Sequence, residues 1–172
     1  MNKPPYQISE QLLEKFESID VALFDVDGVL TDGSLYFDAN GEVIKRFNAL
    51  DGHGLKMLQS SGIEVGIISA RQSLALSTRL DNLGVKHQLT GIDNKMSAMD
   101  DLLKKLNKSP DQACFTGDDV IDKEVMLACG SCFSVENGHY SVKAIADWVA
   151  PYRGGEGAVR AICDILLFAK SR

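Results

Sequence analysis

No apolar run in this chain approaches the ~20 residues that a membrane-spanning helix needs. No cluster of lysines and arginines interrupts it, and no repeat or low-complexity linker divides it. With 18 basic against 24 acidic residues and a formal net charge of −6, nucleic acid and anionic membrane are excluded as partners, since both demand concentrated positive charge. Residues 1–9 are polar and proline-bearing, without the basic-then-apolar order of a secretory signal. The three histidines, His53, His87 and His139, show no mutual spacing, so none is assigned to a metal. Cysteine is scarce: Cys114, Cys129, Cys132 and Cys163 lie in apolar settings. Cys129 and Cys132 form a C-x-x-C, but a lone pair supplies only two ligands. Buried free thiols are expected, in a reducing compartment, the cytoplasm.

What is present suffices for one globular domain over residues 1–172, with 45% apolar residues. Ile8, Leu12, Leu13 and Phe16 keep helical spacing behind Ser9, a natural cap. Short apolar runs follow, reading as buried strands at Val21–Phe24, Ile63–Ile68 and Ala113–Thr116, with weaker ones at Cys132–Val135 and Trp148–Ala150. Helices are expected at Gly54–Ser60, Ser73–Leu83, Met96–Leu106, Val120–Ala128 and Val159–Ala169. Strands without polar alternation, each followed by a helix, indicate an α/β fold with a doubly wound parallel sheet covered on both faces. One segment breaks this rhythm. Ser34–Asp38 and Glu42–Phe47 flank Ala39-Asn40-Gly41, and Asn-Gly is a strong hairpin signal. A hairpin so small cannot bury Leu35, Phe37, Val43 and Phe47 by itself.

In a doubly wound sheet ligands lie at the carboxyl ends of the strands. The first strand is followed by Asp25-Val26-Asp27-Gly28, the second by Ser69, a later one by Gly117-Asp118-Asp119 with Asp122 beyond it, and Lys95 opens a helix. Alone, acidic pairs are often caps or turn residues, and a single lysine is usually solvated. Together they suit phosphate chemistry. Carboxylates without His or Cys select Mg²⁺, with Asp25 and Asp118 as the donors. Ser69 and Lys95 can hold the remaining phosphate oxygens. A carboxylate can serve as nucleophile through an aspartyl-phosphate, with Asp27 as general acid and base.

The ordered set Asp25-Val26-Asp27-Gly28-Val29-Leu30-Thr31, Ser69, Lys95 and Gly117-Asp118-Asp119-x-x-Asp122 resembles the four motifs of the haloacid dehalogenase-like phosphohydrolases. That resemblance implies a Rossmann-like fold, Mg²⁺ and an aspartate nucleophile. Only 42 positions separate Asp27 from Ser69, and 26 separate Ser69 from Lys95, so no cap domain is expected, only the hairpin flap (about residues 34–47). Asn48-Ala49-Leu50-Asp51-Gly52-His53-Gly54, Asn94-Lys95 and the tail Gly154-Gly155-Glu156-Gly157-Ala158-Val159-Arg160 are similar to the family of 3-deoxy-D-manno-octulosonate 8-phosphate phosphatases. The chain departs from that pattern at Leu50 and Glu156, where Arg is frequent, and at Glu124, where Pro is frequent.

The resemblance implies Asp25 and Asp118 as side-chain metal ligands, with Asp27 ligating through its carbonyl. It implies substrate contacts from Asp27, Asn48, Ala49, Leu50, Asp51, Gly52, Lys56, Arg71, Arg79 and Lys95. It also implies a place in lipopolysaccharide precursor synthesis and a homotetramer whose active sites are completed by neighbouring subunits. For that assembly the hairpin and the apolar tail helix (Ile162, Ile165, Leu166, Leu167, Phe168) are the expected interface. A phosphatase for a nine-carbon ulosonate 9-phosphate shares every motif. A signalling receiver domain has a comparable acid cluster, but it carries adjacent acids after its first strand and its acceptor aspartate on a middle one. Here the order is reversed.

Overall fold

The computed structural model of the protein describes residues 4 and 6–172, apart from the side chains of Glu42 and Val43. Helix α1 (Glu10–Glu17) starts where expected, with the Ser9 hydroxyl accepting from the Leu12 N–H at 3.3 Å. It leads into β1 (Val21–Phe24), whose four residues are all buried. After β1 come the hairpin strands β2 (Tyr36–Asp38) and β3 (Gly41–Ile44), then α2 (Ala49–Ser60), β4 (Glu64–Ser69), α3 (Leu74–Leu83) and β5 (His87–Thr90). The second half runs α4 (Lys95–Leu106), β6 (Ala113–Thr116), α5 (Lys123–Ala128), β7 (Ser131–Ser134), α6 (Tyr140–Lys143), β8 (Trp148–Val149) and α7 (Ala158–Lys170).

Six strands form one parallel sheet in the order β5-β4-β1-β6-β7-β8. The chain winds outward from β1 through β4 to β5, then returns to the other side of β1 with β6. The loops after β1 and β6 therefore diverge, and the crevice between them is the switch point at which such sheets bind ligands. β1 feeds both cores by simple alternation. Ala22 and Phe24 join the cluster under α1, α2, α3 and α7, while Val21 and Leu23 join the one under α4, α5 and α6. This is the doubly wound α/β architecture expected, and among the described residues only the hairpin and α2 lie between β1 and β4.

Several elements differ from expectation for identifiable reasons. β5 was not expected: as an edge strand it carries His87, Gln88 and Thr90, each only half-buried, rather than an apolar run. α2 begins at Ala49, not Gly54. Gly52 and Gly54 weaken its propensity, but a Cβ at Gly54 would press within 3.1 Å of Cys163 Sγ, so α7 packs directly on that backbone. The segment expected as a single helix from Val120 opens as a 3₁₀ turn, Val120–Asp122, before α5. In the hairpin the turn is Ala39-Asn40, and Gly41, at φ +124°, enters β3.

The tail helix is corrected more substantially. Ile162, Ile165 and Leu166 are fully buried within the subunit, and Leu167 and Phe168 pack on the same core. α7 is therefore not an exposed interface helix. Phe47 likewise packs against that core, whereas Tyr36, Phe37 and Ile44 stand exposed on the hairpin. Val43 lies outside the described side chains. The four cysteines are free, with Cys114, Cys132 and Cys163 buried. Among the described residues no helix is long and apolar enough to cross a membrane.

Candidate active site

Three strand ends converge on a cleft of about 300 Å³, lined by Asp25 and Asp27 after β1, Ser69 at the end of β4, Lys95 at the start of α4, and Asp118 and Asp119 after β6. Arg71, Leu35 and Ile121 border its mouth. Asp25 and Lys95 are each 6% exposed, and the Lys95 ammonium lies 3.0 Å from Asp25 Oδ1 and 2.6 Å from Asp122 Oδ1. Asp122 is fully buried, and its second oxygen accepts the backbone N–H groups of Asp118 (3.1 Å) and Asp119 (3.2 Å). Asp122 thus fixes both the lysine and the loop that carries Asp118. The loops approach so closely that only glycine fits: a Cβ on Gly28 would stand 2.0 Å from Asp118 Oδ2, and one on Gly154 would stand 1.7 Å from the Gly28 carbonyl. The Gly154-Gly155 tail therefore braces the first loop, with Gly155 N–H donating to Val29 O at 2.9 Å.

The electrostatics are those of a cation site. Burial, with Asp122 adding to it and Lys95 opposing it, pushes the Asp25 carboxyl up to about 6. Burial, then the charges of Asp25, Asp122 and Asp119, push Asp118 up to about 7. Burial works against the Lys95 charge, but Asp25 and Asp122 raise its pKa. Oxygens of Asp25, Asp118 and Asp122 lie within 4.8 Å of one another. Hard carboxylate donors repelling one another at this range fit a divalent cation such as Mg²⁺. Asp122 is already engaged by Lys95 and two backbone N–H groups, so Asp25 and Asp118 are the carboxylates positioned to hold it.

Beside this pair, Asp27 Oδ1 accepts from the Lys45 ammonium at 2.6 Å, and Arg71 Nε stands 3.8 Å from Oδ2. Ser69 is 2% exposed, its hydroxyl accepting from the Arg71 N–H at 3.3 Å. The remaining expected contacts are elsewhere. Asn48 caps α2, Ala49, Leu50, Asp51 and Gly52 form its first turn and Lys56 lies further along it, and the structure does not bring them to this cleft. Arg79, on α3, donates to Asn48 O at 3.4 Å. For Asp51 the structure corrects the expectation of a substrate contact. Its side chain is 1% exposed and accepts the N–H groups of Gly157 (3.2 Å) and Arg160 (2.8 Å), so it caps α7. Gly52 is buried beside Arg79. Leu50, in contrast, is exposed, and Glu156 lies 3.8 Å from Arg46. Lys45 escaped the sequence reading because nothing distinguishes it from other basic residues flanking a hairpin.

The haloacid dehalogenase-like hydrolase family pattern matches residues 89–162. Over 165 residues the chain is 41% identical to the 3-deoxy-D-manno-octulosonate 8-phosphate phosphatase KdsC of Escherichia coli K12, covering 96% of this chain and 88% of that protein. The chain belongs to the 3-deoxy-D-manno-octulosonate 8-phosphate phosphatase family. Solved structures from that family superpose closely. The cobalt-bound phosphatase from Haemophilus influenzae gives a TM-score of 0.89 at 41% identity, covering 91% of this chain and 92% of that one. The Moraxella catarrhalis phosphatase, solved with magnesium, phosphate and KDO, gives 0.92 at 34% identity, covering 95% and 94%. Membership of the phosphatase family also sets aside the receiver-domain alternative.

Proposed function

We infer that this protein is a Mg²⁺-dependent phosphatase that hydrolyses 3-deoxy-D-manno-octulosonate 8-phosphate, releasing the sugar acid and inorganic phosphate for lipopolysaccharide precursor synthesis. The observation that carries this is the cleft itself, in which two repelling carboxylates, a buried lysine and a serine hydroxyl meet at the switch point. Relatives that share the fold at 41% identity bear that activity in their names. Asp25 and Asp118 would hold the Mg²⁺ by their side chains and Asp27 by its carbonyl. When bound, the cation neutralises charge on the carboxylates and phosphoryl oxygens, which makes phosphorus open to attack.

The residues divide the work. Asp25 attacks phosphorus as the P–O bond to the sugar breaks, and the departing oxygen takes a proton from Asp27. Water then gives a proton back to Asp27 while its oxygen attacks the phosphoryl group. The Asp25–phosphorus bond breaks, and free phosphate leaves. Lys95 and Ser69 hold the phosphoryl oxygens throughout. Arg71, a half-exposed cation at the cleft mouth, suits the carboxylate of the sugar acid.

The whole chain works as one catalytic domain in the cytoplasm, where its free thiols are stable. It works as a homotetramer, because an uncapped cleft needs a lid and the hairpin exposes Tyr36, Phe37 and Ile44. Asn48, Ala49, Leu50, Lys56 and Arg79 then belong to surfaces that neighbouring subunits bring to the substrate. Phosphate release from a panel of sugar phosphates tests the reading. The eight-carbon 3-deoxy sugar acid should be the best substrate, chelation should abolish its turnover, and Mg²⁺ should restore it. Preference for a nine-carbon ulosonate 9-phosphate, or full activity in excess chelator, would refute it.

A further inference from the structure

The flap reaches the cleft through one buried side chain. Lys45, the first residue after β3, has a side chain only 1% exposed, and its ammonium donates to Asp27 Oδ1 at 2.6 Å. A buried ammonium is costly without such a partner, and a contact this short is a strong charge-assisted hydrogen bond. Thr31 Oγ1 lies 3.4 Å from the same oxygen. The other oxygen, Asp27 Oδ2, is buried and makes no hydrogen bond among the described residues. Its nearest cation, Arg71 Nε at 3.8 Å, is beyond hydrogen-bond distance on a half-exposed side chain. A bare buried carboxylate oxygen beside a reaction cleft calls for an explanation.

We propose that Lys45 is the positioning residue of the proton-transfer step, holding Asp27 by Oδ1 so that Oδ2 alone faces the reacting oxygens. An unrestrained carboxyl turns about its terminal bond, where the torsional preference is broad and two-fold. One held at a single oxygen presents the other in one direction, which is what proton delivery to a leaving alkoxide requires. Because Lys45 follows β3 directly, the setting of the flap and the aim of Asp27 are one mechanical unit. This rests on the assignment of Asp27 as acid and base given above.

The test compares kcat/KM for the sugar-acid phosphate with that for p-nitrophenyl phosphate, in wild type, Lys45→Met, Asp27→Asn and the double variant. This constant covers only the steps through alcohol departure, and p-nitrophenolate leaves with little need of a proton. Lys45→Met should lower the alkyl-to-aryl ratio by about tenfold or more. In the Asp27→Asn background it should lower it no further, since it acts through Asp27. Equal loss on both esters, or the same fall in both backgrounds, overturns the role of Lys45. If Asp27→Asn leaves the ratio unchanged, the acid–base assignment itself fails. If Asp27→Asn lowers the ratio and Lys45→Met does not, only Lys45 is discarded. Circular dichroism establishes folding, and Lys45→Gln replaces the Met variant, under the same criteria, should Met not fold.

Discussion

The Asp122 carboxylate divides its two oxygens between tasks: one holds the Lys95 ammonium, and the other fixes two backbone N–H groups of the Asp118 loop. Asp122→Ala would leave all three donors buried without that partner. Removing one member of a buried pair typically costs about 3 kcal/mol or more, so a clear drop in denaturant midpoint is expected, together with weaker Mg²⁺ binding. Unchanged stability would show that Lys95 and the loop are held by other contacts. Asp25 and Asp118 carry a second prediction. Their carboxyls are raised to about 6 and about 7, so near and below neutrality the metal-free site holds protons that a cation must displace. Mg²⁺ affinity by calorimetry should therefore be roughly twentyfold weaker at pH 6 than at pH 8. Affinity that does not change across this range would mean that the carboxyls are already ionised. The meeting of Asp25 and Asp118 was legible from sequence because each directly follows an apolar strand of the parallel sheet, where carboxylates are costly unless compensated. The work of Asp122 and Lys45 was not, because it depends on which partner each reaches in space.

Among the elements, α7 changes most between sequence and structure. Its apolar residues suggest an exposed face, yet α2, α1 and the sheet enclose them. The reason lies in Gly52 and Gly54, which let α2 and its neighbours approach closely, and in Asp51, which satisfies the first N–H groups of α7. Asp51→Ala should remove that cap and cost about 1–2 kcal/mol, read as a lower Tm. If Tm holds and KM for the sugar acid rises instead, Asp51 acts on the substrate and not on the helix. The hairpin was legible from Asn40-Gly41 between two apolar segments, although the turn itself takes Ala39-Asn40 and Gly41 opens β3. The edge strand β5 was not, because half-buried polar residues carry no strand periodicity.

At the scale of the whole molecule, Tyr36, Phe37 and Ile44 leave an apolar patch on a flap that borders an open cleft. Burying such a patch between subunits would both stabilise an assembly and close the cleft. The double variant Phe37→Ser, Ile44→Ser should sediment as a smaller species. It should also lose preference for the sugar acid over p-nitrophenyl phosphate, while remaining folded. An unchanged sedimentation coefficient together with unchanged preference would count against a shared active site.

By itself the sequence determined the class of the sheet and the chemistry at its ends. Buried strands must be apolar throughout, and carboxylates can be placed at their ends only where something compensates them. The tertiary structure alone decided which charges meet. Lys95 and Asp122 lie 27 positions apart, and Lys45 and Asp27 lie 18 apart. Their pairing follows from strand order and loop approach, quantities that no local pattern encodes. It also decided that the tail helix faces inward and the hairpin outward, because burial depends on what the rest of the chain leaves uncovered.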